Sequence, residues 1–391
     1  MTHVVNGLLA APAGAMRGIV RPLAEADISR TINFARITLI VGLVCLHYDA
    51  FPNLNHSPFN GATFGEHAFA SYLDSFVVFL FFSVVPLLST ISGWLFFSFP
   101  DERAQAALTH RMRRRFVSLY LPLVFWNALF VIALLALFAI SPNNPLFEHV
   151  NIDFRTAGIM NYVNAVFAIQ HSPVGFQFWF VRDLFMTALV SPVLFLLLRR
   201  APYAGLALLI VIWLSGYIVP IFIRMDVPVF FYLGGLLRRK KAPLGIGART
   251  TLIFLAVYLA CVALRASAPL FLHDPTYYQT GKLAAATRLM RLVGVVACWG
   301  LFLQAAATQW GARIARFGGL AFFLHAVHFP LLAEVKILLW RLVPEATDAW
   351  MLVHYAASVA VTVVIGLTLG LVLARKAPGI FAIFNGGRDL A

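Results

Sequence analysis

Charge is scarce in this sequence, and acid is scarcer still. Asp, Glu, Lys and Arg make up 12% of the 391 residues, about half the share in a soluble domain. The 16 acidic side chains face 30 basic ones, a net charge of +14. Cysteine is nearly absent: Cys45, Cys261 and Cys298 stand far apart in apolar runs. That excludes a disulfide framework and any Cys-based metal spacing. No internal repeat, low-complexity tract or Walker-type glycine loop is present, and the apolar runs lack the alternation of a membrane barrel.

What is present is apolar. Hydrophobic residues form 61% of the chain and aromatics 14%, with a mean hydropathy of +0.84. A soluble core of this length cannot hide so much apolar surface. A lipid-solvated, all-α integral membrane protein is the expected fold. Ten runs approach the roughly 20 residues needed to cross hydrocarbon: 32–48, 72–99, 116–140, 178–198, 203–223, 227–237, 251–268, 289–309, 319–340 and 350–374. The sixth is short and opens with Asp226-Val227-Pro228, so the count is ten give or take one. With the N-terminus in the cytoplasm, 21 basic residues fall inside, 6 outside and 3 in or at the edge of spans. This asymmetry fits about ten crossings with both termini cytoplasmic. The basic excess therefore reads as a topology signal rather than as nucleic-acid binding.

The expected organisation is a cytoplasmic tail or interfacial helix over 1–30, a transmembrane domain over 31–376 and a cytoplasmic tail over 377–391. The first 30 residues do not read as a signal peptide, because their basic residues follow a Pro-interrupted apolar run. The longest outer loops are 49–71, 141–177 and 269–288, and the last two carry polar and aromatic side chains, Asn164, Gln170, His171, Phe176, Tyr277 and Tyr278, that would suit the saccharide acceptor implied by the family resemblance given below.

Five features carry chemistry. Arg36 and His47 are 11 residues apart, which on a helix is about 20° past three full turns. They share one face, about 16 Å apart. An ionisable group within a span is costly and suggests function; the alternative is an interfacial anchor and an interfacial histidine. Arg111-Met-Arg-Arg-Arg115 is either a topology anchor or a phosphate-binding patch, since guanidinium binds phosphate through paired donors. Phe178-Trp179-Phe180-Val181-Arg182-Asp183 opens the fourth span with adjacent opposite charges, which orient helices or position a polar substrate. Ser92-Gly93 permits close helix approach. His325 and His328, three residues apart, share a face, but no further residues complete a metal site.

These motifs, in this order, resemble the membrane acyltransferase-3 family. Arg36 and His47, with ten residues between them, look like its Arg-x10-His signature. Phe82 to Trp94, ending Ile-Ser-Gly-Trp, looks like its aromatic-rich span. Arg113-Arg114-Arg115 followed by Tyr120-Leu-Pro122 resembles its basic run before a Pro-containing helix. Trp179 to Leu184 is close to W-F-L-R-D-L. Val227 to Gly235 is similar to its short Pro-Phe-Phe span, and Phe323 to Pro330 to its late Tyr-Leu-x-His-x-Pro stretch. Pro378 to Arg388 resembles its Gly-Gly-Arg ending. His325 stands where a Tyr is usual, and Gly318-Gly319 where a Ser is usual upstream. No SGNH esterase-like domain follows, so transfer is completed by the membrane domain or by a separate partner.

The resemblance implies a bacterial inner-membrane O-acyltransferase. It implies a short acyl group, most often acetyl, moved from cytoplasmic acyl-CoA to a hydroxyl of an envelope or exported saccharide. Arg36, Arg113, Arg114 and Arg115 are then expected to hold the donor's phosphates. His47 is expected to act as general base or as acyl-accepting nucleophile. Asp183 is expected to orient the His47 ring, with Asp49 and Asp74 as rivals. Trp179, Arg182, His325 and His328 are expected to position substrate, and no metal is required. Partners are the donor, the saccharide, membrane lipid and envelope glycan assembly proteins. The competing class is a transporter or flippase for an envelope precursor, with Arg182 and Asp183 as its translocation site.

Overall fold

The computed structural model describes residues 20–144, 147, 150–272, 281–342 and 346–388. Tyr277, Tyr278 and residues 1–19 lie outside the described residues. Helices dominate; among the described residues the strands are a two-residue ribbon, β1 (Val20–Arg21) against β2 (Gly245–Ile246).

The helices run in chain order as α1 Glu25–Leu46, α2 Ala68–Leu80, α3 Val84–Phe96, α4 Ala104–Arg115, α5 Leu121–Ile140 and α6 Ile159–Phe167. Then come α7 Trp179–Leu189, α8 Ser191–Arg200, α9 Pro202–Ser215, α10 Asp226–Arg239 and α11 Ala248–Ala266. The last are α12 Gly281–Ala306, α13 Gln309–Ala315, α14 Ala321–Trp340, α15 Asp348–Lys376 and α16 Pro378–Phe384. Each of the ten apolar runs contains helix, the run 203–223 only as far as Ser215. Among the described residues seven helical stretches, such as the one running through α2 and α3, are long and apolar enough to cross a membrane. The pair α7 and α8, bent by 59° around Val190, passes the same test only when the two helices are taken together. The helices α9 and α10 have 14 residues each, about 21 Å, short of about 30 Å of hydrocarbon. The chain is a multi-pass, all-α membrane protein.

Burial separates centre from rim. In the most apolar stretch of 68–96, 67% of residues are buried, against 22% in 101–140. The outer helix α5 exposes Phe125, Leu129, Ile132 and Leu135, the face that lipid solvates. The central helix α10 is the opposite: ten of its 14 residues are buried, including Phe230, Phe231 and Tyr232. Its enclosure in protein explains how so short a helix is accommodated. Lipid gives no hydrophobic drive for helix association, so contact rests on small residues that let backbones approach. A Cβ at Gly93 would lie 1.9 Å from the Phe231 carbonyl oxygen, and one at Gly234 equally close to that of Thr90. Only glycine fits at this α3–α10 crossing.

Candidate active site

The helix α1 carries both ends of the site. His47 is its C-cap residue, and the carbonyls that a helix end leaves without partners are satisfied here by side chains. The Cys45 carbonyl accepts from Tyr355 Oη at 2.8 Å. The Tyr48 carbonyl accepts from Lys336 Nζ at 2.9 Å. The helix end is thereby fixed to α14 and α15, and the His47 ring with it.

His47 meets His328, from α14. Pro330 has no N–H, so the Ala326 carbonyl one turn earlier loses its helical partner, and Phe329 leaves helical geometry (φ −122°, ψ 128°). Gln177 Nε2 fills the gap, donating to the carbonyls of Ala326 at 3.2 Å and Phe329 at 3.0 Å. The turn that holds His328 is set by that repair. His328 Nδ1 lies 2.7 Å from the His325 carbonyl oxygen, which can only accept, so Nδ1 carries the proton. A neutral His328 then presents a lone pair at Nε2. His47 Nδ1, 2.8 Å away, donates to it. The rings are within 4° of parallel, with centroids 5.1 Å apart. These partners assign the tautomers and leave His47 Nε2 as an open base.

His47 borders a cavity of about 280 Å³, lined also by Phe81, Phe82, Phe176, Trp179, Arg224, Asp226 and Arg291. The Arg224 guanidinium lies 4.8 Å from the Trp179 ring centroid. Asp226 pairs with Arg291 and accepts from Trp213 Nε1 at 3.2 Å. Arg224, Asp226 and Arg291 stand out in no short motif; their only signal is charge at the edges of apolar runs.

The expected pairing of Asp183 with His47 is corrected. Both Asp183 oxygens are occupied by the backbone N–H of Ile223 (2.9 and 3.0 Å) and Arg224 (2.7 Å) and by Arg182 Nη1 (2.9 Å). Arg182 also donates to the carbonyls of Ala168, Ile169 and Ile221. This buried pair ties the turn before α7 to the loop before α10. It sets where Arg224 stands and does not line the His47 cavity. Among the described residues neither Asp49 nor Asp74 hydrogen-bonds His47, whose ring partner is His328. Of the expected sugar-binding side chains, Phe176 sits edge-on to His47 at 5.1 Å. Asn164 instead accepts from the backbone of Gln170 and His171 and shapes its own loop.

The other end of α1 opens on a second cavity, of about 140 Å³, where Arg36, Arg115 and Arg388 converge with Ser92 and His325. Arg115 Nη2 donates to Ser92 Oγ at 2.8 Å, so the small pair Ser92-Gly93 both admits α10 and seats a guanidinium. Arg111, one turn before Arg115, donates to the carbonyls of Leu95, Phe96 and Ser98, satisfying the end of α3. Arg113 and Arg114 are exposed and do not line the cavity. Of the expected basic run, Arg115 alone joins Arg36. Arg388 is the residue added to the site, and its sequence signal was the Gly386-Gly387-Arg388 ending. The His325 ring is buried with both nitrogens unpartnered among the described residues. His325 and His328 thus serve different ends: one borders the basic cavity, the other holds His47.

The two cavities are lined by the same three helices at successive levels, with no lining residue in common. On α1 the lining steps from Arg36 and Ile40 to Leu43 and His47. On α3 it steps from Ser92 and Leu88 to Val85, and on α7 from Leu184 and Phe180 to Trp179. An apolar stripe of three helices therefore lies between the cluster of Arg36, Arg115 and Arg388 and the His47 imidazole, about 16 Å further along α1.

Comparisons with known proteins identify the family. An acyltransferase domain model, that of the acyltransferase-3 family, matches residues 30–374. The chain is similar to the succinoglycan biosynthesis protein ExoH of Rhizobium meliloti (strain 1021), 26% identical over 382 residues, covering 93% of this chain and 94% of that one. No solved structure matches it. Since the family match spans most of the chain, from before Arg36 to beyond His328, the protein belongs to the acyltransferase-3 family and is a membrane acyltransferase.

Proposed function

We propose that this chain moves a short acyl group, acetyl in the first instance, from acyl-CoA on the cytoplasmic side to a hydroxyl of an envelope or exported saccharide. In this reading it sits in a bacterial inner membrane, crosses it ten times and keeps both termini inside. The observation that carries the reading is that Arg36 and His47, on one face of α1, open on two cavities that α1, α3 and α7 line in succession. A saccharide acceptor is supported by the relative's role in succinoglycan biosynthesis.

The donor's phosphates meet Arg36 and Arg115 through charge-assisted hydrogen bonds. The pantetheine arm follows the apolar stripe and brings the thioester toward His47. His47 Nε2 takes the proton of the acceptor hydroxyl, and the oxygen attacks the thioester carbonyl. The tetrahedral intermediate collapses with cleavage of the C–S bond, and the proton on His47 passes to the departing thiolate. His328 accepts the His47 Nδ1–H throughout, so the ring is held in the tautomer whose Nε2 can act.

The test is transfer by the purified protein in lipid nanodiscs, from radiolabelled acetyl-CoA to an isolated envelope saccharide. Mass spectrometry of envelope glycans with and without the gene identifies the acceptor. Loss of one acetyl or succinyl mass in the deletion supports the proposal. An unchanged glycan profile, with an unacylated lipid or small molecule accumulating, removes the saccharide.

A further inference from the structure

Arg388 lies beyond residue 374, where the family match ends, yet it stands in the wall of the basic cavity. We propose that the segment 385–388 is a latch of the donor site, in which Arg388 binds the diphosphate of CoA so that donor binding and docking of this segment are coupled. The proposal rests on the acyl-CoA reading above and adds Arg388 and its segment to the donor site.

The latch is built rather than draped. Gly386 and Gly387 have φ +67° and +66°, a left-handed turn that other residues rarely adopt. A Cβ at Gly386 would lie 2.4 Å from both the Ser118 carbonyl oxygen and Arg388 Nη1. The side chain of Asn385, fully buried, donates to the carbonyls of Gly319 (3.0 Å) and Arg388 (2.8 Å). Arg388 Nη1 returns a hydrogen bond to the Asn385 carbonyl at 2.7 Å, and its guanidinium lies over Phe322 at 4.4 Å. The turn thus aims one cation into a cavity that already holds two.

That aim opposes simple electrostatics. Among the described residues, none of Arg36, Arg115 and Arg388 pairs with a carboxylate. Burial and the neighbouring Arg115, Arg36 and Arg114 push the Arg388 guanidinium down to about 9. An anchoring segment has no need of a third like charge, whereas a diphosphate supplies the two negative charges the cavity lacks. The His325 ring beside it, buried without a partner, is a further donor for the same ligand or its amide arm.

The experiment measures binding of CoA, pantetheine and inorganic pyrophosphate to detergent-solubilised protein by calorimetry. It compares wild type, Arg388→Gln, Arg388→Lys and a chain ending at Phe384. Arg388→Gln is expected to weaken CoA and pyrophosphate about tenfold to a hundredfold, the effect of one charge-assisted hydrogen bond, and to leave pantetheine unchanged. Arg388→Lys recovers part of the affinity. CoA, but not pantetheine, should slow carboxypeptidase trimming past Arg388, read by intact mass. If wild type binds CoA and every variant, the truncated chain included, binds it equally, the latch is overturned and the acyl-CoA reading stands. If wild type binds pyrophosphate through Arg388 but not CoA, the acyl-CoA reading falls and the latch falls with it as a donor-site device. If wild type binds neither, both fall.

Discussion

His328 Nε2 accepts a hydrogen bond from His47 Nδ1 at 2.8 Å, so a second imidazole, not a carboxylate, stands behind the proposed base. The arrangement is anchored by the His325 carbonyl on His328 Nδ1. A carboxylate behind His47 would stabilise an imidazolium by charge. A neutral imidazole fixes the tautomer and orientation without adding charge in a low-dielectric setting, where unpaired charge is costly.

His328→Ala is accordingly expected to lower kcat on the order of tenfold to a hundredfold with little change in donor KM. His328→Gln places an amide oxygen near the lost lone pair and should restore part of the rate. A loss in His328→Ala that Gln does not relieve, with equal loss of thermal stability, would make His328 a packing residue only.

His47→Ala removes the base itself. Transfer should fall by about 10² to 10⁴-fold while CoA binding and the melting temperature stay near wild type, because the basic cavity does not include this ring. Normal turnover by a stable His47→Ala protein eliminates the mechanism. Acyl-enzyme trapped at His47 in the wild type replaces the base with a nucleophile.

The basic run separates by facing. Arg111 and Arg115 are four residues apart and turn toward α3, whereas Arg113 and Arg114 are exposed. Arg115→Gln should raise donor KM about tenfold with kcat nearly unchanged, the pattern of interactions lost equally from ground and transition state. Arg113→Gln and Arg114→Gln should each change KM less than threefold, roughly the noise of surface charge. Steady-state kinetics with varied acyl-CoA reads all three.

What the sequence disclosed follows from what periodicity can fix. The shared face of Arg36 and His47 is a property of one helix, and residue spacing alone determines it. Which arginine of the run points inward depends on a partner, Ser92, 23 residues away, and no spacing within the run contains it. Asp183 was assigned to His47 because both open toward the same end. Its actual partners are backbone N–H groups of Ile223 and Arg224, which carry no side-chain signature. The apolar run 227–237 was legible as a helix, but its near-complete burial against Gly93 was not. The family match leaves the transporter reading no support, since the motifs assigned to translocation hold a loop in place.

That role of Arg182 and Asp183 has a measurable consequence. Both side chains are buried and their hydrogen bonds bridge the segments 168–169 and 221–224. Removing one member of such a pair leaves the other charged and uncompensated, a cost of about 3–5 kcal/mol in buried settings. Asp183→Ala should therefore lower the melting temperature markedly and lower activity with it. Its effect should track the loss of folded protein rather than a change in kcat per folded molecule.

Gly93→Ala offers the sharpest test of the packing. The added methyl would sit 1.9 Å from the Phe231 carbonyl oxygen, a backbone atom that cannot rotate away. Overpacking of this kind costs about 1–3 kcal/mol, so the melting temperature should fall by several degrees. The change should also reach the donor site, because Ser92, the adjacent residue, seats Arg115. Donor KM is expected to rise in Gly93→Ala even in the fraction that remains folded. Gly379→Ala, where a Cβ meets nothing within 4 Å, is the matched control and should leave both quantities unchanged. Equal melting temperatures for the two variants would mean that α3 and α10 do not approach as closely as the structure places them, and that the seat of Arg115 is set by something other than this crossing.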